Sequence, residues 1–547
     1  DLLQRQRGIE VTRTGGRGAN ASVFLRGADN RQNIVLVDGV RVGSATSGGA
    51  NWSAIPLAQI ERVEVVFGPM SSLYGADAMG GVIQIFTRRG EPGVRANASA
   101  SAGSHDTRIL DAGISGASGR LRFAVAAAHE ESDGFSSKKP GVLSGFNPDR
   151  DGYRKESANG SVGFELAKGH EIGASFLRSR LYTEYDNTAT LNDHQVQHVE
   201  TYALTSSNRI TSSWNSRVQL ARAYDKGSNY TTTVSRFNTR QNHLSWQNDI
   251  QFGKDDLVQL IVERREEEVD STTTALNRTR STNSVAAAYQ LKRGAHLGSL
   301  IARNDNNSQF GSFATGSIGY GYWFTDALRA NASLGTSFRA PTFNELYFPS
   351  FGFAGNAPER GRNMEVGLRY DTGATRITAS WYRNRIRDLL VTARPCPVPG
   401  FGTSCSYNVN EAILTGVSLG ASTRLGNFVY RATVDLQDPK DETTGLRLAR
   451  RARAHGTLGV EYDTNALGGP LVAGIEAVLS GKRFDDTSNL NRLPGYGLVN
   501  LHASYEFARN WTVFGRWNNV FDKDYELARG YATEGSAVFV GIRYAMR

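Results

Sequence analysis

Residues 61–88, ERVEVVFGPMSSLYGADAMGGVIQIFTR, contain two short apolar strands around a glycine-rich turn. Valines alternate with charged residues in the first strand, and the second strand covers residues 82–86. Gly68-Pro69 ends the first strand, because proline has no N–H to donate to a ladder. The turn is rich in glycine, which suits positive φ angles and close backbone approach. The stretch therefore predicts a small packed unit of two strands and a turn. Judged by its glycine content alone, this unit would belong to a soluble domain.

The sequences of this stretch and of two others resemble those of the TonB-dependent outer-membrane transporters. Residues 68–88 resemble the family's plug signature, as does VFLRGADNRQNIVLVDGVRV at residues 23–42. NNVFDKDY at residues 518–525 resembles the family's C-terminal signature. The resemblance implies an all-β transmembrane barrel with an N-terminal α/β plug domain inside its lumen. Its size class is about 22 antiparallel strands.

Composition is consistent with such a barrel. The chain has 547 residues, 10% aromatic residues, and 59 glycines against 14 prolines, which suits many strands joined by turns. Mean hydropathy is −0.40 and we find no run of 18 apolar residues, so a helical membrane protein is excluded. A membrane barrel is compatible with these values because only alternate residues face lipid.

Alternation begins near residue 93 and continues to the end of the chain. In VNLHASYEF, residues 499–507, apolar and aromatic side chains share one face and polar side chains share the other. A soluble sandwich would alternate too, but a barrel also explains aromatics near strand ends as interfacial girdles. We predict a plug at residues 1–92 and a barrel at residues 93–547. The family's TonB box, which pairs with the energy-transducing TonB protein, would precede Asp1, so the plug is expected to be N-terminally incomplete here.

The formal net charge is +9, yet the basic residues are scattered and no nucleic-acid-binding element is present. We therefore expect no nucleic-acid partner. The charge instead favours an arginine-rich lumen and an outer rim that meets anionic lipid headgroups.

Three segments resemble one branch of the family, the cobalamin (vitamin B12) receptors. They are RNDNNSQFG (303–311), GTSFRAPTFNELY (335–347) and NNVFDKDYE (518–526). The resemblance implies import of cobalamin or a related corrinoid across the outer membrane of a Gram-negative bacterium by a monomer that works with TonB. A ferric-siderophore or haem receptor is the alternative within the family. A calcium-binding lectin or glycosidase is the alternative from another class.

Two acidic segments suggest a calcium site. Asn147, Asp149 and Asp151 stand at alternate positions before a glycine, as calcium loops often begin. An EF-hand would need a glutamate where Ala158 stands, so other loops must complete the six to eight oxygen ligands. The cobalamin branch has calcium-ordered outer loops, and its pattern implies calcium as a structural cofactor. The set carried over is Asn147, Asp149, Asp151, Tyr185, Asp186 and Asp193, with asparagine at 147 where the family has glutamine. The alternative is that these are solvated acidic loop tips.

The same resemblance implies a set of ligand-binding residues. Ser22 and Arg450 match the branch in residue type, whereas Asn20, Asp29 and Ser488 match it in position only. The simpler alternatives are a turn cap for Ser22 and a lumen-lining charge for Arg450.

Cys396 and Cys405 are the only cysteines. An exported chain matures in an oxidising compartment, so we predict that they bridge and hold one outer loop. A zinc site is not expected, since CxxC spacing is absent. We find no catalytic constellation among the dispersed histidines and carboxylates, and we expect no enzymatic activity.

Overall fold

The structure is a computed structural model that describes residues 2–466 and 468–546. The two chain ends in our predicted domains, Asp1 and Arg547, lie outside the described residues. Residues 2–92 form a small inner body, which we call the plug, and the barrel wall begins at Gly93. Among the described residues, no helix is long and apolar enough to cross a membrane.

The plug combines short strands with single helical turns. Its strands are β1 (Ile9–Arg13), β2 (Ala21–Leu25), β3 (Asn33–Val37), β4 (Val40–Val42), β5 (Ile60–Phe67) and β6 (Gly81–Thr87). Its helical turns are α1 (Ser71–Tyr74) and the 3-10 turns Leu3–Arg5, Asn30–Gln32, Trp52–Ala54 and Leu57–Gln59. One sheet has the order β4-β3-β6-β5 with β3 and β6 parallel, and β1 pairs with β2 separately.

The two strands predicted around the glycine-rich turn are present as β5 and β6, with α1 between them. Gly68 and Gly75 have φ angles of 94° and 83°, which favour glycine. Gly80 has a different role, because a Cβ there would lie 2.4 Å from the Cβ of Ala28 and 2.4 Å from the Oδ1 of Asn33. The turn is therefore packed tightly against the connection between β2 and β3.

The barrel is a closed ring of 23 strands, of which 22 form the wall and one, β24, is a two-residue addition. Its strands are β7 (Gly93–Gly103), β8 (Thr107–Ser118), β9 (Leu121–Phe135), β10 (Asp151–Ala167), β11 (His170–Glu184), β12 (His194–Arg209), β13 (Trp214–Tyr230), β14 (Val234–Phe252), β15 (Asp256–Ser271), β16 (Thr279–Arg293), β17 (His296–Asn307), β18 (Gly311–Trp323), β19 (Leu328–Arg339), β20 (Glu359–Asp371), β21 (Thr375–Ala393), β22 (Cys405–Leu425), β23 (Phe428–Gln437), β24 (Lys440–Asp441), β25 (Ala454–Ala466), β26 (Gly469–Ser480), β29 (Tyr496–Ala508), β30 (Trp511–Asn518) and β31 (Ala537–Ala545). The connections carry α2 (Phe343–Tyr347), the 3-10 turn Thr274–Leu276 and the hairpin β27 (Arg483–Phe484) with β28 (Arg492–Leu493). β31 pairs with β7, so the predicted antiparallel barrel closes without a free edge.

The two ends of the barrel differ in their connections. At one end the strands are joined by two to four residues, as at 119–120 and 210–213. At the other end several connections exceed ten residues, as at 136–150, 340–358 and 519–536. Short inner turns and long outer loops are typical of outer-membrane barrels, so we call the long-loop end the outer end.

Side chains alternate across the wall as predicted. In β18, Ile318 and Tyr320 have exposed fractions of 56% and 52%, whereas Thr315 has 6%. In β29, Leu501 is exposed on the outside, while the buried side chain of Asn500 donates a hydrogen bond of 3.2 Å to Glu476. The apolar face meets lipid and the polar face lines the lumen.

Buried charges fasten the plug to the wall. Arg339 of β19 lies between Glu345 and Glu359, with N–O distances of 2.9 and 2.8 Å, and all three side chains are at most 2% exposed. From the plug, Arg31 reaches Glu345 at 2.7 Å, and Gln32 donates to Glu359 at 2.7 Å. Both carboxylates are therefore shared between wall and plug.

We expect Gly80→Val to loosen the plug while the barrel still forms. The added side chain overlaps Ala28 and Asn33, and overpacking of this kind destabilises by about 1–3 kcal/mol. Limited proteolysis should then cut within the plug, while the barrel keeps its heat-modifiable migration on gels. Gly402→Val is the matched control, since no atom lies within 4 Å of a Cβ at Gly402. Equal protease resistance of the two variants would contradict this packing.

We expect Arg339→Gln to release the plug from the wall more strongly. Removing one partner of a buried ion pair typically destabilises by about 3–5 kcal/mol, because the remaining carboxylates lose their counter-charge. Thermal unfolding and plug proteolysis measure the effect. Arg369→Gln is the control, because the Arg369 side chain is 41% exposed and pairs with Asp371 at the surface. If both variants lose the same small amount of stability, the buried cluster does not hold the plug.

Candidate functional site

An open cavity of about 810 Å³ lies between the plug and the outer loops. The plug contributes residues from β1, β2 and the turn that follows them. The wall contributes the outer end of β21 and the connections 438–453 and 481–495. Four of the five predicted ligand-binding residues line this cavity: Ser22, Asp29, Arg450 and Ser488. Asn20 does not line it.

The β1–β2 pair presents hydroxyl groups to the cavity. Ser22 lies within β2 rather than at a turn, so the turn-cap alternative does not apply. It stands opposite Thr12, which lines the same cavity. Asn20 immediately precedes β2 and is exposed, and its carbonyl accepts a hydrogen bond of 3.2 Å from the Thr14 amide. Thr12 and Ser22 therefore line the cavity, and Asn20 lies outside its lining.

Asp29 begins the 3-10 turn Asn30–Gln32 and is held by two arginines. Its carboxylate accepts hydrogen bonds of 3.0 Å from the amide and the Nε of Arg31, and Arg451 lies 3.8 Å away. Burial alone would raise the pKa of Asp29, but Arg31 and Arg451 outweigh burial and lower it below its usual range. Asp29 is thus an ionised hydrogen-bond acceptor at neutral pH.

Arg450 links two of the outer connections. Its Nε donates a hydrogen bond of 2.7 Å to Asp485, and its backbone has a φ of 64°. Ser488 lies in the same connection as Asp485, and its hydroxyl is 3.5 Å from the carbonyl of Arg394. The guanidinium of Arg450 therefore has a fixed position at the cavity edge.

Sequence reasoning missed most of the charged lining. The missed residues are Arg31, Arg339, Glu359, Arg394, Arg451, Asp485, Asp486 and Arg529. The available signals were arginines inside apolar motifs, as in SFRAP and LARRAR. With the predicted residues, the lining has six arginines against four carboxylates, so its formal excess is two positive charges. Such a lining favours a ligand that carries an anionic group.

Three predicted metal ligands converge at the outer end. Asp149, Asp151 and Asp186 have carboxylate oxygens that all lie within 4.8 Å of one another. They come from the start of β10 and from the connections 136–150 and 185–193. Two separate loops therefore supply one carboxylate cluster, as the sequence pattern predicted.

Backbone amides hold these carboxylates in place. Asp151 accepts from the Ser137 amide at 2.6 Å, and Asp186 accepts from the amides of Lys138 at 2.9 Å and Asn147 at 3.0 Å. The side chain of Asn147 donates to Asp149 at 2.8 Å. Asn147 therefore acts as a hydrogen-bond donor here, while its amide oxygen still provides a lone pair.

The remaining two predicted ligands lie beside the cluster. The carboxylate of Asp193 is 1% exposed and accepts from the amide and hydroxyl of Thr188 at 2.6 and 2.8 Å. Tyr185 donates its amide to the Asp193 carbonyl at 3.0 Å. Asp193 lies outside the group of three converging carboxylates among the described residues.

Burial and mutual repulsion both disfavour the charged form of these carboxylates. Burial and the neighbouring carboxylate of Asp186 raise the pKa of Asp149. Burial, with Asp186 and Asp149 nearby, raises the pKa of Asp151 to about 6. One buried oxygen of Asp149 and one of Asp193 have no hydrogen-bond partner among the described residues. An all-oxygen set of this kind fits a hard cation such as Ca²⁺.

Cys396 and Cys405 form a disulfide with a Cα–Cα distance of 5.3 Å, which confirms the predicted bridge. It closes the connection between β21 and β22, at residues 394–404. Arg394 and Pro395 at the start of this connection line the cavity, so the bridge shortens a loop that borders the candidate site.

Comparisons with known proteins agree with this architecture. A family profile described as TonB dependent receptor-like, beta-barrel matches residues 100–520. A second profile, TonB-dependent Receptor Plug Domain, matches residues 1–82.

Among curated relatives, the vitamin B12 transporter BtuB of Vibrio vulnificus is 30% identical over all of this chain and 89% of its own length. That of Photobacterium profundum is 28% identical over the same shares. Among solved structures, the ferric enterobactin receptor PfeA of Pseudomonas aeruginosa aligns with a TM-score of 0.85 at 17% identity and covers 100% of this chain and 95% of that one. The siderophore receptor PirA of Acinetobacter baumannii aligns at 0.83 and 16% with the same coverage. The chain thus belongs to the TonB-dependent receptors of the Gram-negative outer membrane.

Proposed function

We propose that the protein imports cobalamin or a related corrinoid across the outer membrane. The observation that carries this proposal is the 28–30% identity to vitamin B12 transporters along the whole chain. Ser22 and Arg450, the two ligand-binding residues that match the cobalamin branch in type, line one cavity. That cavity faces the outer end, from which a nutrient would arrive.

A ferric-siderophore receptor is the second candidate. Two observations favour it: the structural similarity to siderophore receptors and the two-arginine excess of the cavity lining. Similarity at 16–17% identity shows the fold alone, so we give it less weight than the full-length relatives. The closed barrel and the family assignment leave the lectin or glycosidase alternative without support.

Transport requires movement of the plug. The plug fills the lumen and is fastened by pairs such as Arg31 with Glu345 and Arg26 with Glu365, both at 2.7 Å. A charge-assisted hydrogen bond contributes about 1.5–3 kcal/mol, so a mechanical pull must separate several of them together. TonB, which gives the family its name, is the partner that we propose for this pull. We also propose a monomer, since the closed wall offers no free edge to a second copy.

Equilibrium binding to a ligand panel tests the choice between the two candidates. We expect cobalamin to bind the purified protein, and we expect Ser22→Ala and Arg450→Ala to weaken binding about tenfold, the effect of one lost polar contact. Ferric siderophores should bind weakly or not at all. Arg492→Ala is the matched control, because Arg492 is exposed on the β27–β28 hairpin and does not line the cavity. If the protein binds a siderophore and does not bind a corrinoid, the siderophore receptor is the correct alternative.

We further propose that calcium binds the carboxylate cluster and orders the two outer loops that form it. Asp149, Asp151 and Asp186 would hold the ion, with Asp193, Asn147 and the Tyr185 carbonyl as neighbouring oxygens. The convergence of three carboxylates from separate loops supports this proposal. The ion supplies positive charge that offsets their repulsion. Fixing one backbone residue costs about 1–2 kcal/mol of conformational entropy. Where calcium has already ordered a loop residue, ligand binding no longer includes that cost, so calcium and ligand should bind cooperatively.

We expect Asp149→Ala with Asp151→Ala to weaken calcium binding about tenfold or more, since calcium affinity follows the number of charged ligands. Corrinoid affinity at low calcium should fall as well, and ligand should tighten calcium binding by the same factor that calcium tightens ligand binding. Calorimetry with calcium alone, and then with cobalamin, measures both. Glu442→Ala is the control, an exposed carboxylate in another outer connection. Equal ligand affinity in chelator and in calcium would show that these loops are solvated acidic tips.

A further inference from the structure

Two arginines lie at the outer end of β20 on the face that points away from the lumen. From the outer end inward, the outward positions of this strand are Arg360, Arg362, Met364, Val366, Leu368 and Tyr370. All six are exposed. The strand therefore passes from two cations through an apolar stretch to an aromatic residue.

The neighbouring strand β21 repeats this order. Its outward positions, again from the outer end inward, are Arg387, Arg385, Arg383, Trp381, Ala379 and Ile377. The register places Arg360 opposite Arg387, and Arg362 opposite Arg385. We call Arg360, Arg362, Arg383, Arg385 and Arg387 the arginine patch.

The patch is poorly neutralised by the protein. Like charges directly opposite each other in an antiparallel pair are destabilising, with Cβ atoms about 4.5–5.5 Å apart. Glu411 of β22 accepts two hydrogen bonds of 2.6 Å from Arg385. Within the described chain, the side chains of Arg362, Arg383 and Arg387 have neither a hydrogen bond nor an ion pair. Five arginines against one glutamate leave four positive charges in excess.

The outer rim at β12–β15 is arranged differently. On the wall formed by β12–β15, outward cations alternate with carboxylates: Arg240 pairs with Glu268, and Lys226 lies 3.5 Å from Glu200. Charge on that wall is balanced within the protein. The excess at β20–β21 is thus not shared by the rim at β12–β15.

The position of the patch places it at the level of lipid headgroups. Arg362 is eight residues from Tyr370, about 26 Å along the strand and about 20 Å across the bilayer at the usual tilt of about 40°. Met364 and Trp381, the next outward residues, already belong to the apolar stretch. A partner that neutralises the patch must therefore combine anionic groups with a hydrocarbon part directly below them.

We propose that the arginine patch binds the phosphate groups of a phosphorylated glycolipid in the outer leaflet. Arginine binds phosphate through a planar fork with two parallel hydrogen bonds, and it is weakly hydrated, which suits an interfacial site. Five guanidinium groups over three rows of residues have room for more than one phosphate. The bound phosphates would also remove the repulsion between opposite arginines.

Native mass spectrometry in detergent tests this assignment, with bis-phosphorylated lipid A, the same lipid without its phosphates, and phosphatidylglycerol as probes. We expect lipid A to bind best, and we expect the variants R362Q/R385Q and R383Q/R387Q to bind it about tenfold more weakly, as for a lost charge-assisted contact. R240Q is the matched control, a rim arginine on the balanced wall. Unchanged lipid A binding in both double variants would overturn the proposal. Equally strong, patch-dependent binding of phosphatidylglycerol would overturn the assignment to a glycolipid.

Thermal stability provides a second readout. Without lipid, R383Q/R387Q should unfold at the same temperature as the original protein or higher, because repulsion has been removed and the pair between Arg385 and Glu411 is kept. With lipid A, only the original protein and R240Q should gain stability. Double variants that are less stable without lipid and gain as much from lipid A as the original would contradict the proposal.

Discussion

A lipid bilayer forces every backbone N–H and C=O of the barrel wall to find its hydrogen-bond partner within the protein. No water is available there to satisfy an exposed N–H or C=O, so a wall of strands has to close. Pairing of β31 with β7 completes that closure. A ring of 22 wall strands encloses a lumen too wide for its own side chains to fill. The plug fills it, and the cavity at the outer face of the plug is the remaining space between them.

The polar lumen is compatible with a plug that is held firmly and can still be displaced, as the proposed transport requires. Buried ion pairs contribute little net stability compared with apolar packing, but breaking one of them has a large effect. The Arg339 cluster has this character, because two carboxylates are divided between a wall arginine and plug residues. Its members Arg339 and Glu359 also line the ligand cavity. The contacts that a ligand would meet are thus the same contacts that fasten the plug.

Much of the fold was predictable because its signals are local. The alternation in residues 499–507 and the glycine-rich turn at residues 68–81 each depend on neighbours in sequence, and both correspond to observed elements. The acidic pattern of each loop is also local, and the resemblance to the cobalamin branch implied that Asp149, Asp151 and Asp186 meet. The Arg339 cluster was not accessible, because Arg31 and Glu345 lie 314 residues apart and meet only through the register of the plug in the barrel. Arg362 and Arg385 likewise face each other because of the cross-strand register, which cannot be predicted from the periodicity of a single strand.

Uptake of a corrinoid through a TonB-dependent movement of the plug is the function that we propose for this receptor. Uptake of radiolabelled cobalamin by cells that lack their own corrinoid receptor and express this protein from its own gene tests it most directly. We expect accumulation in cells with functional TonB, and surface binding without accumulation in cells without TonB. The proposed function is wrong if the cells accumulate no more cobalamin than those with an empty vector, or if they accumulate it equally without TonB.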